Sequence, residues 1–298
     1  MPRLLIVANP AASGFTGTVY RQAMAYLGDR FDVEPAWPSS ANGAQQVAAQ
    51  AAADGWDAVV AIGGDGVVHR VANGVAGSKT ALAIVPVGTT NVLARILGIP
   101  RRLPAALERI TSGTARRVTT ALIRSNGTQV HGMFAVGVGF DADVVEAAER
   151  EPTRKIGIGS LHYARSGLAV LWSRYRRRSP GLQVTVGTDT VRAAAAMVQV
   201  LDPYTYLGGL PLRIVRPGAG LAVAAIEQVT PARAVRILGR AATGRDLTKV
   251  SGVTVWEEVP RVEVLSDEAA PIQADGELLT AQPKIVISPS RAAVTIIS

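Results

Sequence analysis

AIGGDGVVHRVANG, Ala61 to Gly74, joins two different patterns of hydrophobic spacing. Just before it, WDAVV (Trp56 to Val60) is a short β-branched run that reads as a buried strand. After it, Val67, Val68, Val71 and Val75 recur at helical spacing. The join is therefore Gly63-Gly64-Asp65-Gly66. Its three glycines permit a sharp turn and let a bulky group approach the backbone N–H groups. The helix that follows aims its positive end at the same spot, which favours an anion such as phosphate. A carboxylate in such a place points to a metal or a proton acceptor. The plain alternative is a tight turn in which Asp65 caps the helix.

A second junction of this kind follows. ALAIVPVGTTNVLARILGIP, Ala81 to Pro100, again runs strand, Gly-Thr-Thr-Asn loop, helix, with Gly98 and Pro100 as the stop. Two such loops from nearby strands predict one cleft at the carboxyl ends of a parallel sheet. The first part of the chain alternates throughout. Strands are expected at Leu4–Ala8 and Phe31–Trp37, and helices at Thr18–Leu27, Ala44–Ala53 and Leu103–Ile110. That alternation means βαβ units. ANPAASGFTG after the first strand is not G-x-G-x-x-G, which argues against an ordinary dehydrogenase.

From about Arg116 the pattern changes. Two strands joined at Asn126-Gly127, a strong hairpin signal, open a series of short strands. These are expected at Leu182–Val186, Ala193–Val200, Leu212–Val215, Leu221–Ile226, Val253–Trp256, Arg261–Leu265 and Lys284–Ile287. Two helices interrupt them, a basic one and Pro231–Ala242, which has Thr230 as its cap. A mainly parallel α/β domain (1–117) followed by a larger, antiparallel domain (118–287) is the expected fold.

The 298 residues are 48% hydrophobic and 18% charged, as in a globular protein with a large core. No apolar run reaches the ~18 residues of a membrane span, and LLIVANP is too short for a signal peptide. A cytoplasmic location is the expectation. Absent cysteines exclude disulfides and thiolate metal sites. The net charge of +8 asks for an anionic partner: a nucleotide, an anionic membrane or nucleic acid. With 5% aromatic residues and no zinc-finger or RNA-binding signature, nucleic acid is not expected. Between Pro152 and Thr188 there is no acid, and Arg154, Lys155, Arg165, Arg174, Arg176, Arg177 and Arg178 alternate there with Leu161, Leu168, Leu171 and Trp172. That pattern fits either a solvated helix ending in cations or a helix resting on anionic headgroups.

GGDG followed by a hydrophobic helix, then P-x-G-T-x-N some twenty residues on, resembles the diacylglycerol kinase catalytic domain family of lipid kinases. ANPAASG (Ala8 to Gly14), VGVGFDADV (Val136 to Val144), GIGSLHYARSGL (Gly157 to Leu168) and ADGE (Ala274 to Glu277) are similar to further elements of that family, in the same order. The resemblance implies a nucleotide-binding first domain, to which the last strand, within 288–298, would return, and a β-sandwich second domain for the lipid. It also implies ATP and Mg²⁺, and phosphoryl transfer to a hydroxyl of a diacylglycerol-like or sphingoid lipid by a peripheral protein at an anionic membrane surface.

By the same resemblance Asn9, Gly63, Gly64, Gly66, Gly88, Thr89, Thr90 and Asn91 would hold the nucleotide, and Asp65 and Glu277 would be catalytic. Which carboxylate takes the proton stays open, the metal ligands are unassigned, and a homodimer is one option for assembly. On spacing alone Asp275-Gly276 reads as a hairpin turn. The chain also departs from the family pattern. Val67, His69 and Arg70 stand where Thr and Asn-Glu are usual, and Val92 where many members have Asp. Thr120 or Ala121 replaces a common aspartate, and RPGAGLAV has no acid near Gly218 to Gly220. His69 and Arg70 are expected to be solvated, the sharper alternative being that Arg70 contacts phosphate. The alternatives are thus an NAD kinase-like enzyme, or a nucleotide- and lipid-binding relative with impaired catalysis.

Overall fold

The computed structural model describes residues 1–38, 40–150, 159–175, 181–214 and 220–298. Arg154, Lys155, Gly157, Arg176, Arg177, Arg178, Val215 and Gly218 of the stretches above lie outside the described residues. The chain divides into two compact units, Met1–Thr120 with Arg291–Ser298, and Ala121–Ser290.

The first unit contains β1 (Arg3–Ala8), α1 (Gly17–Gly28), β2 (Asp32–Ala36), α2 (Ala41–Ala53), β3 (Ala58–Gly63), α3 (Asp65–Val75), β4 (Ala81–Pro86), α4 (Val92–Ile96) and α5 (Leu103–Ser112). β5 (Ala115–Ser125) begins in it. Strands β2, β1, β3 and β4 pair in that order, all parallel. β1, β3 and β4 are apolar along almost their whole length and nearly all buried, as expected of a parallel sheet covered on both faces. β2 reads DVEPA, is half-exposed, and carries Pro35 where an edge strand tolerates it. On one face Leu4, Ile6, Val60, Ile62 and Val85 pack with Leu27 of α1 and with Leu107 and Ile110 of α5. The other face is covered by α2 and α3. Thr16 and Ser40 cap α1 and α2, each accepting a hydrogen bond from the backbone N–H three residues on.

α2 and α3 approach closely. A Cβ on Gly74 would stand 2.5 Å from the Gln45 carbonyl oxygen and 2.6 Å from the Ala48 Cβ. The approach of the partner helix is what requires glycine here, in the last turn of α3.

The second unit holds the rest of β5, then β6 (Thr128–Gly132), β7 (Ala135–Gly139), α6 (Phe140–Glu149), α7 (Gly159–Val170) with a π turn at Leu171–Tyr175, β8 (Leu182–Val186), β9 (Asp189–Ala193) and β10 (Ala195–Gln199). It continues with β11 (Thr205–Leu207), β12 (Leu210–Leu212), β13 (Leu221–Ile226), α8 (Pro231–Thr243), a 3-10 turn at Leu247–Lys249, β14 (Val253–Val259), β15 (Val262–Ala274) and β16 (Glu277–Ile297). β14, β13, β10, β7 and the second half of β15 form one antiparallel run. The first half of β15 pairs instead with β8, which pairs with β9. Register shifts between Leu265 and Ile272 mark the bend in β15. One core joins the two halves, with Val184, Val262, Val264 and Ile285 packing among Val136, Val198, Val223 and Ile272. β5 and β6 meet at Asn126-Gly127, both at positive φ, as the hairpin signal predicts.

The far end of β16 belongs to the first unit, where Thr295 and Ile296 pair in parallel with Ala81 and Leu82 of β4. α6 is absent from the sequence expectation. It starts abruptly after Gly139 at φ 79°, and its first turn carries Asp141 and Asp143, which suit a helix start. Its sequence, FDADVVEAAE, continues directly from a strand and hides the change of period. α6 and α7 are tied by Arg174, which donates to Asp143 at 2.8 Å and to Glu146 at 3.1 Å, and by the Tyr175 hydroxyl, which donates to Asp143.

Gly74→Leu drives a branched side chain into the α2 backbone. It is expected to lower stability by about 1–3 kcal/mol or more, read as a fall in the urea midpoint with the slope unchanged.

Candidate functional site

In the first sheet β2 lies on one side of β1 and β3 on the other, so the connections leaving the carboxyl ends of β1 and β3 run in opposite directions. Such a switch point opens a crevice above the strand ends. Three loops meet there. Asn9 N–H donates to the Ile62 carbonyl at 3.1 Å and Val87 N–H to the Gly63 carbonyl at 3.0 Å, extending the ladder past the strand ends. The first loop crosses to the third, with Gly14 N–H donating to the Val87 carbonyl at 2.8 Å and the Ser13 and Thr89 hydroxyls 3.0 Å apart. A Cβ on Gly14 would lie 2.7 Å from that carbonyl oxygen. The second and third loops touch backbone to backbone: a Cβ on Gly88 would come within 2.5 Å of the Gly64 Cα.

Asp65 is the first residue of α3 rather than its cap. Gly64 holds the cap position, and the Asp65 carboxylate accepts from the Leu93 N–H at 3.2 Å, at the start of α4. The GGDG carboxylate thus links the amino ends of two helices. Asn91 is buried in the left-handed region (φ 49°). Its Oδ1 accepts from Gly88 N–H at 2.9 Å and its Nδ2 donates to the Gly88 carbonyl at 2.6 Å. Its amide therefore shapes the Gly-Thr-Thr loop from behind, while Thr89 is exposed. Asn9 Oδ1 accepts from Ala11 N–H at 2.9 Å, folding the first loop. The first N–H groups of α3, which include Gly66, are the ones a helix cannot satisfy internally. His69 departs from the expectation of a solvated side chain, since it is buried, with Asn73 Nδ2 donating to its carbonyl at 2.9 Å. α3 is enclosed on more sides than its valine stripe indicates.

Asn9, Gly63, Gly64, Asp65, Gly66, Gly88, Thr89, Thr90 and Asn91 are thus brought together in the first unit, and Glu277 belongs to the second. There Asp275-Gly276 is a two-residue hairpin turn between β15 and β16, with φ of 56° and 85°. It is also more than a turn. The buried Asp275 carboxylate accepts from Met133, Phe134 and Ala135 N–H at 2.7, 2.9 and 3.2 Å, and Asp275 N–H donates to the Ala135 carbonyl at 2.9 Å. Glu277, half-buried, is the second carboxylate of the ADGE element and follows this clamped turn directly.

The sequence reading missed a polar network behind this turn. Gln273 Oε1 accepts from Gly276 N–H at 2.8 Å, and its Nε2 donates to Asp141 Oδ2 at 2.6 Å. The Tyr204 hydroxyl donates to the same oxygen at 2.7 Å. Gly137 makes room, since a Cβ there would fall 1.9 Å from Asp141 Oδ2. Asp141 sits deep in protein mass, and that desolvation raises its pKa, with the hydrogen bonds from Tyr204 and Gln273 working the other way. Burial, then the Asp141 charge, pushes the Tyr204 hydroxyl well above its usual range. The G-x-G-F-D element held Asp141 in view, but Tyr204 and Gln273 lie on distant segments with no local signal. Among the described residues no group of three or more His, Asp or Glu side chains converges as a metal site.

Removing the Asp275 carboxylate strands three buried N–H groups, so Asp275→Ala is expected to lose about 2–5 kcal/mol, whereas Glu277→Gln stays within about 1 kcal/mol of the parent, both by urea unfolding. The folded state disfavours the Asp141 carboxylate, relative to its neutral form, more than the unfolded state does. Its contribution is complete below the unfolded carboxylate range and is lost as pH rises through its raised folded value. Asp141→Asn keeps the acceptor oxygen without the charge. Its stability is expected to exceed the parent's at about pH 8 and the gap to close toward about pH 4, measured by unfolding across that range.

The description "Diacylglycerol kinase catalytic domain" fits residues 3–123 as a family match. A Bacillus subtilis protein named diacylglycerol kinase is 29% identical over 57% of this chain and 56% of its own length. The chain spans about half the length of that relative and of similarly named Mycobacterium tuberculosis proteins. A Pseudomonas putida protein named probable lipid kinase YegS-like is 30% identical over 84% of this chain and 79% of its own. A solved diacylglycerol kinase structure from Bacillus anthracis shares the fold, with a TM-score of 0.74 at 21% identity over 99% of this chain and 96% of that one. The NAD kinase alternative also has a fold counterpart, an Archaeoglobus fulgidus NAD kinase solved with ATP. It has a TM-score of 0.52 at 13% identity, over 99% and 93% of the two chains. The P. putida match extends well beyond the first unit at an identity the NAD kinase does not approach, and the chain belongs to the diacylglycerol kinase catalytic domain family of lipid kinases.

Proposed function

We propose that this chain is an ATP-dependent lipid kinase that transfers the γ-phosphate to a hydroxyl of a diacylglycerol-like or sphingoid lipid. The observation that carries this reading is the meeting of three loops at the switch point of the first sheet, with the Gly64–Gly88 backbone contact at its centre. Glycine there leaves main chain rather than side chains facing the crevice, and the amino end of α3 favours phosphate oxygens. Phosphoryl transfer needs little else from a protein than phosphates held still and a hydroxyl aimed in line. In this proposal the backbone of Gly63, Gly64, Gly66 and Gly88 and the hydroxyls of Thr89 and Thr90 hold the triphosphate. Asn9 and Asn91 set the loops that carry them.

Asp65 and Glu277 are the two candidate acceptors of the lipid hydroxyl's proton. Mg²⁺, when bound with ATP, would neutralise phosphate charge. It commonly needs only one or two carboxylates plus phosphate and water, a demand that Asp65 meets. A net charge of +8 and the absence, among the described residues, of any helix long and apolar enough to cross a membrane support a peripheral association with anionic lipid.

A second reading has its own observation. Val67, His69, Arg70 and Val92 stand where the family pattern has more polar or acidic residues, and no carboxylate cluster converges among the described residues. It is a relative that binds nucleotide and lipid without turnover.

Incubation of γ-labelled ATP and Mg²⁺ with mixed-lipid vesicles is expected to move label into the lipid phase. Asp65→Asn or Glu277→Gln should lower the rate by about 10²-fold or more, and the variant whose loss persists at saturating Mg²⁺ identifies the proton acceptor. ATP binding with no labelled lipid in any mixture would favour the impaired relative, and label on NAD would favour the NAD kinase reading.

A further inference from the structure

Seven large hydrophobic side chains are exposed among the described residues, and five of them lie on three connected elements of the second unit. Leu168 and Trp172, four residues apart on α7 and its π turn, are 67% and 64% exposed. Leu210 follows the Gly208-Gly209 turn of the β11–β12 hairpin. Val235 and Leu238, three apart on α8, are 69% and 49% exposed. The hairpin joins the two helices, because β11 packs against α7 and β12 against α8, and Arg213 N–H donates to the Ala241 carbonyl at 3.0 Å.

The charges on α8 and the segment after it are mainly positive. From Pro231 to Val250 there are five cations, Arg233, Arg236, Arg240, Arg245 and Lys249, and one acid, Asp246. Asp246 is occupied locally, accepting from the Thr248 N–H at 2.8 Å and from its hydroxyl at 2.7 Å. Arg236, Arg240, Arg245 and Lys249 line an open groove of about 440 Å³ beside Val235. α8 itself alternates buried or half-buried Ala234, Ile237 and Ala241 with the exposed Val235, Arg236 and Leu238. Aliphatic side chains exposed among cations, with alanine and isoleucine on the inner face, are the composition of a helix lying in a bilayer interface.

We propose that α8, the β11–β12 hairpin and α7 form one docking face for an anionic lipid bilayer. Val235, Leu238, Leu210, Leu168 and Trp172 enter the headgroup–acyl boundary, and Arg236, Arg245 and Lys249 meet lipid phosphates. The proposal rests on the membrane part of the reading above and names the surface responsible. Nucleic acid is the other polyanion such charge could attract, but the exposed aliphatic side chains have nothing to gain from a phosphate backbone.

The test is flotation of the full chain with vesicles of phosphatidylcholine alone or mixed with phosphatidylglycerol. The parent is expected to float with the mixed vesicles and not with the neutral ones. Val235→Asp/Leu238→Asp and Arg236→Glu/Arg245→Glu should each reduce partitioning about tenfold or more, with unchanged circular dichroism. The second pair alters only exposed charges, so the test survives if the first fails to fold. No flotation of the parent, equal flotation of the Arg variant, or preference for a DNA duplex over mixed vesicles would each overturn the proposal. Transfer of phosphate to a short-chain diacylglycerol and to a short-chain sphingoid base, each dispersed without vesicles, is measured in parallel with the parent. Flotation without transfer sinks the kinase reading and leaves the face; transfer without flotation does the reverse.

Discussion

The candidate site depends on one close approach, the contact of the Gly64 and Gly88 backbones. Any side chain at Gly88 would hold the GGDG and GTTN loops apart. The Asp65 carboxylate reaches the Leu93 N–H only while those loops stay together. Asn91 maintains the geometry from behind by matching both polar groups of Gly88. The glycines therefore have a packing reason that holds with or without a ligand. What they leave behind is main chain and the amino end of α3 where side chains would otherwise stand, and that is the surface phosphate prefers.

A parallel logic governs the second unit. Local chemistry alone makes Asp275-Gly276 a hairpin turn, yet the same Asp275 carboxylate gathers three N–H groups of the β6–β7 connection. A buried donor without an acceptor is costly, so the turn and that connection are held as one piece. Gln273 and Asp141 extend the restraint inward, and Gly137 provides the space. Glu277 begins its strand directly after this clamped turn, so its backbone is placed by a carboxylate two residues away.

Charge and exposure tell a separate story. The basic excess is not spread evenly: α8 and the turn after it carry five cations against one acid, beside exposed Val235 and Leu238. Several other basic residues lie where they are partnered, as with Arg174 on Asp143 and Glu146, or Arg213 on Asp202. α8 reads in sequence as an ordinary capped amphipathic helix, and only the folded chain shows Val235 and Leu238 of that helix exposed.

Hydrophobic period was enough to read the parallel α/β core, because buried strands such as AVVAIG and ALAIVP contrast sharply with the helices between them. Gly-rich junctions and Asn-Gly or Asp-Gly pairs marked loops and turns, since few other residues tolerate those dihedral angles. The ordered motifs also brought the family into view. Three things needed the tertiary structure. α6 was hidden because Gly139 turns strand into helix without a polar break. His69 is buried because α3 is enclosed on more sides than its valine stripe showed. The Asp141–Tyr204–Gln273 network joins residues 63 and 69 positions apart in the chain. Local sequence encodes backbone preference within a few residues, whereas burial, close approach and the pairing of buried polar groups are properties of segments that meet only after folding.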